Sequence, residues 1–174
     1  VTGYRREARS QRAFRKAYLD DVDFLIPDVV HAGDEVLVTE WVDGTPLRTI
    51  IDEGADEARN RSGLLLARLL FSAPARARLL HADPHPGNFR LLDDGRLAIL
   101  DFGAVDRLPL GLPRPIGMLA RRALEGDAEG VLEGLRAEGF VRPSVTVAAD
   151  ELLGYLVPLL EPLRHDEFRF DRPW

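Results

Sequence analysis

The chain reads as an α+β protein whose helices and strands are segregated along the sequence. Three observations point there. Helical apolar periodicity covers residues 3–19, 56–71 and most of the last third. One β-branched run occupies residues 36–42. One hairpin signal sits at residues 93–95, between two short apolar runs. Strands and helices do not alternate as βα units, which excludes a doubly wound parallel sheet.

The first segment, Gly3 to Leu19, has Glu7, Gln11, Phe14 and Tyr18 on one helical face. Arg5, Arg6, Arg9, Arg12, Arg15 and Lys16 make the rest basic, as a solvated face would be. Asp20, Asp21, Asp23 and Pro27 end the helix. Val36 to Val42 predicts a buried strand running into an Asp43-Gly44 turn. Leu47 to Ile51 predicts a short helix. Asp56 to Phe71 predicts a longer one, with Leu65, Leu66, Leu69 and Leu70 as its core stripe. Pro74 either stops that helix or lies in the next connection. Leu79-Leu80-His81 leads into a polar loop. Phe89 to Leu92 and Leu97 to Leu100 predict two strands joined through Asp93-Asp94-Gly95. Helices follow over residues 113–124, 128–138 and 149–163, with Pro158 inside the last or splitting it.

Composition narrows the function. The 174 residues are 45% hydrophobic, enough for a packed core. The absence of cysteine excludes disulfides, a thiol nucleophile and a zinc–thiolate site. A formal charge of −6 argues against a general nucleic-acid binder. No run is long enough to span a membrane: the best, Leu64 to Phe71, is interrupted by Arg68. No apolar segment follows the basic N-terminal stretch, so no signal peptide is expected. Lys16 is the only lysine among 23 basic residues, so any chemistry that needs a lysine must use it or do without.

The chemistry concentrates in Leu80-His81-Ala82-Asp83-Pro84-His85-Pro86-Gly87-Asn88-Phe89 and Leu100-Asp101-Phe102-Gly103. The pattern is H-x-D-x-x-x-x-N followed by D-F-G, in the order and spacing of a phosphoryl-transfer loop. Mg²⁺ is a hard ion that takes oxygen ligands and keeps several waters, so one carboxylate and one amide oxygen suffice. Asp101 and Asn88 supply that pair. Asp83 is positioned to receive the nucleophile's proton. His81 is expected to pack and hydrogen-bond beneath the Asp101 loop. His85 reads as an exposed loop residue, and His31 and His165 as structural.

The segments LLHADPHPGNF and LAILDFGAVDRL closely resemble the AarF/ADCK/UbiB atypical kinases, a protein-kinase-like family tied to quinone biosynthesis. Tyr4-Arg5-Arg6-Glu7-Ala8 resembles that family's C helix, and VLVTEWVDG at residues 36–44 its fifth strand and hinge. The likeness covers almost the whole chain. It implies a helical C-lobe with a remnant of the N-lobe, divided as residues 1–42 and 43–174. It further implies Asp83 as catalytic base, Asn88 and Asp101 as Mg²⁺ ligands, and Glu7 as an ion-pair partner. Glu40, Trp41 and Val42 become the hinge that holds adenine. The implied cofactors are ATP and Mg²⁺. The implied partners are a nucleotide and, through the family's role, membrane lipid or a quinone precursor, at a cytoplasmic or peripheral membrane location.

The chain departs from the family at its start. The Lys-x-Gly-Gln segment is absent, the Glu-x-Asp positions hold Val1 and Gly3, and Lys16 follows Glu7 on the same helix. The chain therefore reads as a kinase-like piece cut at both ends, with little phosphoryl transfer of its own. Two other classes stay open. One is a small-molecule phosphotransferase of the aminoglycoside or choline type, whose loop H-G-D-x-H-x-x-N is similar. The other is a non-catalytic pseudokinase module.

Overall fold

The computed structural model describes residues 3–168. Val1, Thr2 and the last six residues of the expected C-lobe lie outside the described residues. The chain forms two compact units, dividing after Gly111. The lobe boundary expected at residue 42 falls inside the first unit.

The first unit opens with α1 (Tyr4–Ala17), then β1 (Phe24–Leu25), β2 (Val29–Ala32), β3 (Leu37–Thr39) and β4 (Thr45–Pro46). It continues through α2 (Leu47–Glu53), α3 (Asp56–Arg76), β5 (Leu79–His81), β6 (Phe89–Leu91), β7 (Leu97–Ile99) and β8 (Val105–Arg107). The face of α1 identified from the sequence turns inward: Gln11, Phe14 and Tyr18 are buried and Glu7 is half-buried. Gln11 donates to the Pro27 carbonyl at 2.7 Å, which fastens α1 to the chain before β2.

One sheet has the order β1-β7-β6-β4, with β1 parallel to β7 and the other pairs antiparallel. Two smaller sheets pair β2 with β3 and β5 with β8, both antiparallel. Phe14, Phe24, Leu65, Leu69, Phe89, Leu97, Ile99 and Phe102 form one core between α1, α3 and the strands. Asp23 ties this unit together. Its carboxylate meets Arg61 at 2.8 Å and Arg68 at 2.6 Å, both from α3, while its carbonyl accepts from Leu97 N–H at 2.8 Å. Arg61 reaches on to the Gly95 carbonyl at the β6–β7 turn, at 3.2 Å.

Three expectations change. The run at 36–42 is not a buried strand: only Leu37–Thr39 pairs, it has one neighbour, and Trp41 is 80% exposed. A two-stranded ribbon buries neither face completely, so alternate side chains stay in water. Pro74 neither ends α3 nor lies beyond it. It is buried inside the last turns, where its missing N–H removes one helical bond without stopping the packed helix. In the predicted stripe, Leu65 and Leu69 are buried while Leu66 and Leu70 flank them half-exposed.

The second unit holds α4 (Arg114–Glu125), α5 (Ala128–Ala137) and α6 (Ala149–Leu160), followed by a 3₁₀ turn at Glu161–Arg164. Gly126 closes α4 at φ 80°, the left-handed cap that glycine adopts without Cβ strain. Asp127 then caps α5 by accepting the Gly130 N–H at 2.9 Å. Ala128, Leu132 and Ala149 centre a small core packed by Val141, Val147, Leu152 and Leu153. Pro158 lies inside α6, which tightens into the 3₁₀ turn three residues later.

Candidate functional site

The two predicted loops are brought together by strand pairing. His81 faces Val105 across β5–β8, and Phe89 faces Ile99 across β6–β7. The loop leaving β5 and the loop leaving β7 therefore run side by side. Two backbone bonds clamp them: Ala82 N–H to the Ala104 carbonyl at 2.9 Å, and Leu100 N–H to the Asn88 carbonyl at 2.8 Å. Asp83, Asn88 and Asp101 thus share one loop cluster, although 18 positions separate the two aspartates.

The side chains are held in fixed roles. The Asn88 amide nitrogen donates to the Asp83 carbonyl and to its carboxylate, both at 3.1 Å. That orientation leaves the Asn88 Oδ1 as the end not committed to Asp83. The other carboxylate oxygen of Asp83 accepts the His85 N–H at 3.3 Å. Asp83 is exposed, so its charge stays available to a substrate. Asp101 accepts the Gly103 N–H through Oδ1 at 2.8 Å, which leaves Oδ2 open to solvent. An amide oxygen and a carboxylate oxygen on adjoining loops are hard donors, and the set fits Mg²⁺ with phosphate and water completing its shell. Among the described residues no group of three or more His, Cys, Asp or Glu forms a metal cluster.

His81 takes the role expected of it. Its Nε2 donates to the Asp101 carbonyl at 2.8 Å. Burial pushes its pKa below the ordinary value, so it stays neutral and fixes the loop. Phe102 is buried beside it, with ring centroids 5.9 Å apart, and lies 5.2 Å from Phe14 of α1. The D-F-G phenylalanine is therefore the wedge between α1 and the loop. Glu7 sits at the same junction. Burial and the nearby Asp101 raise its pKa, while a hydrogen bond from the Phe102 N–H opposes the rise. None of the ion pairs among the described residues involves Glu7, and Lys16 is exposed farther along α1. His85 contributes something the sequence reading missed. Its Nδ1 accepts the Gly87 N–H at 3.1 Å and caps the 3₁₀ turn that delivers Asn88.

The hinge residues line a separate cleft of about 430 Å³. Glu40, Trp41 and Val42 form one wall, with Leu25, and Leu92 to Asp94 at the β6–β7 turn form the other. Glu40 is fixed by its N–H on the Asp28 carbonyl at 2.9 Å and by its carboxylate on the Asp28 N–H at 3.1 Å. Trp41 donates from Nε1 to Asp43 at 2.8 Å. Gly44 then lets the chain press against β6, since a Cβ there would lie 2.9 Å from the Leu91 carbonyl. The β6–β7 hairpin links the two places, with the cleft at its turn and Asn88 at its open end. Four residues of extended chain correspond to about 13 Å.

Residues 2–135 match the family model for the ABC1 atypical kinase-like domain. A chloroplastic Arabidopsis thaliana protein named Activity of BC1 Complex Kinase 3 is 34% identical over 83% of this chain and 21% of its own length. Its namesake kinase 1 is 40% identical over 59% of this chain and 15% of its own. A Mycobacterium tuberculosis protein solved in complex with erythromycin is 42% identical, with a TM-score of 0.86 over 99% of this chain and 44% of that one. The chain thus spans less than half the length of these relatives.

Proposed function

The chain belongs to the ABC1 atypical kinase-like family, whose protein-kinase-like α+β architecture it shares, and from that premise we propose that residues 81–103 form the phosphate end of an ATP and Mg²⁺ site. The observation that carries the reading is the clamped pair of loops, which holds Asp83, Asn88 and Asp101 together. Asn88 Oδ1 and Asp101 Oδ2 would hold the ion, and bound Mg²⁺ supplies neutralisation of phosphate charge. Asp83, oriented by Asn88 and the His85 N–H, accepts the proton of a hydroxyl or water nucleophile. The 430 Å³ cleft at Glu40–Val42 supports the hinge reading, with its backbone and the Trp41 face available to a purine.

A second reading, a nucleotide-binding module without turnover, is favoured by Glu7. This carboxylate faces Asp101 with no lysine beside it, so like charges meet where a cation would hold phosphate. On this reading the 174-residue chain binds nucleotide and transfers little phosphate. The family likeness supports a role in isoprenoid-quinone or lipid metabolism at a membrane surface. Among the described residues no helix is long and apolar enough to cross a membrane.

Trp41 provides the test, because the only other tryptophan is Trp174. ADP is titrated with and without Mg²⁺ while tryptophan fluorescence is followed. The expected result is a saturable change that Trp41→Phe removes. No change at any nucleotide concentration overturns the site. Robust phosphate release from Mg·ATP by the same chain overturns the reading without turnover and keeps the site.

A further inference from the structure

A second cleft, of about 420 Å³, opens on the first unit away from the loops just described. Arg9 of α1, Arg78 just before β5 and Arg107 of β8 line it. Its remaining lining is apolar except for the Ser10 hydroxyl, and no carboxylate reaches it. Eleven ion pairs join side chains among the described residues, and none of them uses these three arginines. Eight other arginines of the same unit show the contrast, while Arg6 and Arg90 meet backbone carbonyls. Arg5, Arg15, Arg48, Arg59, Arg61, Arg68, Arg76 and Arg96 each meet an aspartate.

The convergence is built into the backbone. Arg107 is the strand partner of Leu79, and Leu108 N–H donates to the Arg78 carbonyl at 2.9 Å. Arg78 itself is held at φ 56°, a left-handed conformation that a long side chain seldom adopts. Arg6, one turn before Arg9, reaches the Val105 carbonyl at 3.5 Å and lays α1 alongside β8. Three arginines lining one apolar-walled cleft bring like charges near one another, which an anion bound between them would offset. Their planar forks match the oxygens of a phosphate.

We propose that Arg9, Arg78 and Arg107 form a binding site for a tetrahedral phosphate dianion, distinct from the loop cluster around Asp101. The ligand bridges three elements. Arg9 lies two residues after Glu7 on α1, and Arg107 lies four residues after Gly103. A bound phosphate therefore fastens α1 against β8 and steadies the Glu7–Phe102 junction from outside. The site does not depend on the nucleotide reading.

Inorganic phosphate is titrated into the 174-residue chain at constant ionic strength while the arginine Nε–H resonances are followed. Saturable shifts of Arg9, Arg78 and Arg107 are expected, with slower exchange of the Phe102 amide. Arg9→Gln combined with Arg107→Gln weakens binding by at least about tenfold, the scale of lost charged hydrogen bonds. Arg12→Gln, which removes one charge from the solvent face of α1, leaves it unchanged. Arg107→Lys keeps a cation and retains more affinity than Arg107→Gln, which separates ligand loss from misfolding. Shifts that never saturate, or that are equal in the double variant and the parent, overturn the site. Phosphatidylcholine vesicles with and without phosphatidic acid identify the source. Retention on the acidic vesicles that phosphate competes away assigns a lipid headgroup, and phosphate saturation without retention assigns a soluble phosphate.

Discussion

Replacing Phe14 by alanine removes the ring that joins α1 to the D-F-G loop. Phe14 is fully buried and packs 5.2 Å from Phe102, 6.2 Å from Tyr18 and 6.3 Å from His81, centroid to centroid. A buried Phe→Ala change costs about 3–5 kcal/mol through lost transfer energy and the cavity left behind. Aromatic partners on several sides keep this site from the low end of that range, at about 4 kcal/mol. The consequence is local as well as global. The Phe102 amide is held by Glu7 from α1, so its exchange reports whether the helix is seated. If it exchanges by opening of the first unit, about 4 kcal/mol raises its rate by roughly a thousandfold. Urea unfolding with hydrogen exchange by NMR measures both quantities. Phe14→Leu keeps most of the volume and is expected to cost less than about 1.5 kcal/mol. A Phe14→Ala loss below about 1 kcal/mol, or unchanged protection of the Phe102 amide, refutes the docking of α1 on the loop.

The remaining expectations concern charge. Glu7 has a raised pKa, so the stability linked to it is full below its ordinary value of 4.5 and declines as pH rises through the folded value. Glu7→Gln is therefore expected to raise the melting temperature near neutral pH and to lose that gain in acid, as a pH series of thermal melts checks. His81 has a lowered pKa, so its contribution is present above the ordinary 6.5 and is lost as pH falls below it. His81→Gln should flatten that part of the stability profile, and retention of the full acid slope would count against the buried neutral imidazole. Asp23→Asn leaves Arg61 and Arg68 without their carboxylate. Because both arginines are partly exposed, the expected loss is about 1–3 kcal/mol, measured by urea unfolding with a double-mutant cycle against Arg68→Ala.

The candidate site's residues were legible in the sequence because they lie within one short stretch. His81, Asp83, Asn88 and Asp101 fall in two loops joined by a hairpin that Asp93-Asp94-Gly95 announces. Their order alone predicts their proximity, and the strand pairings deliver it. The amphipathic face of α1 was equally readable, since Gln11, Phe14 and Tyr18 recur at helical spacing. The rest was decided by tertiary pairing. β8 is three residues, two of them charged, and exists because β5 lies beside it. β1 is two residues after an acidic break, and it pairs with a strand more than 70 positions away. The run at 36–42 has strong strand composition, yet composition does not report how many neighbours a strand finds. The arginine cleft draws on three distant segments, so no local pattern could mark it.

The proposed site places Asp101 as a charged ligand at the phosphate end of a bound nucleotide. The direct measurement is the Mg²⁺ dependence of ADP affinity in the parent chain and in Asp101→Asn, read by calorimetry. Asp101 is exposed, so the substitution is expected to change stability by less than about 0.5 kcal/mol and to leave the fold intact. Mg²⁺ is expected to tighten ADP binding to the parent and to do nothing for Asp101→Asn. An equal Mg²⁺ effect on both proteins would contradict it.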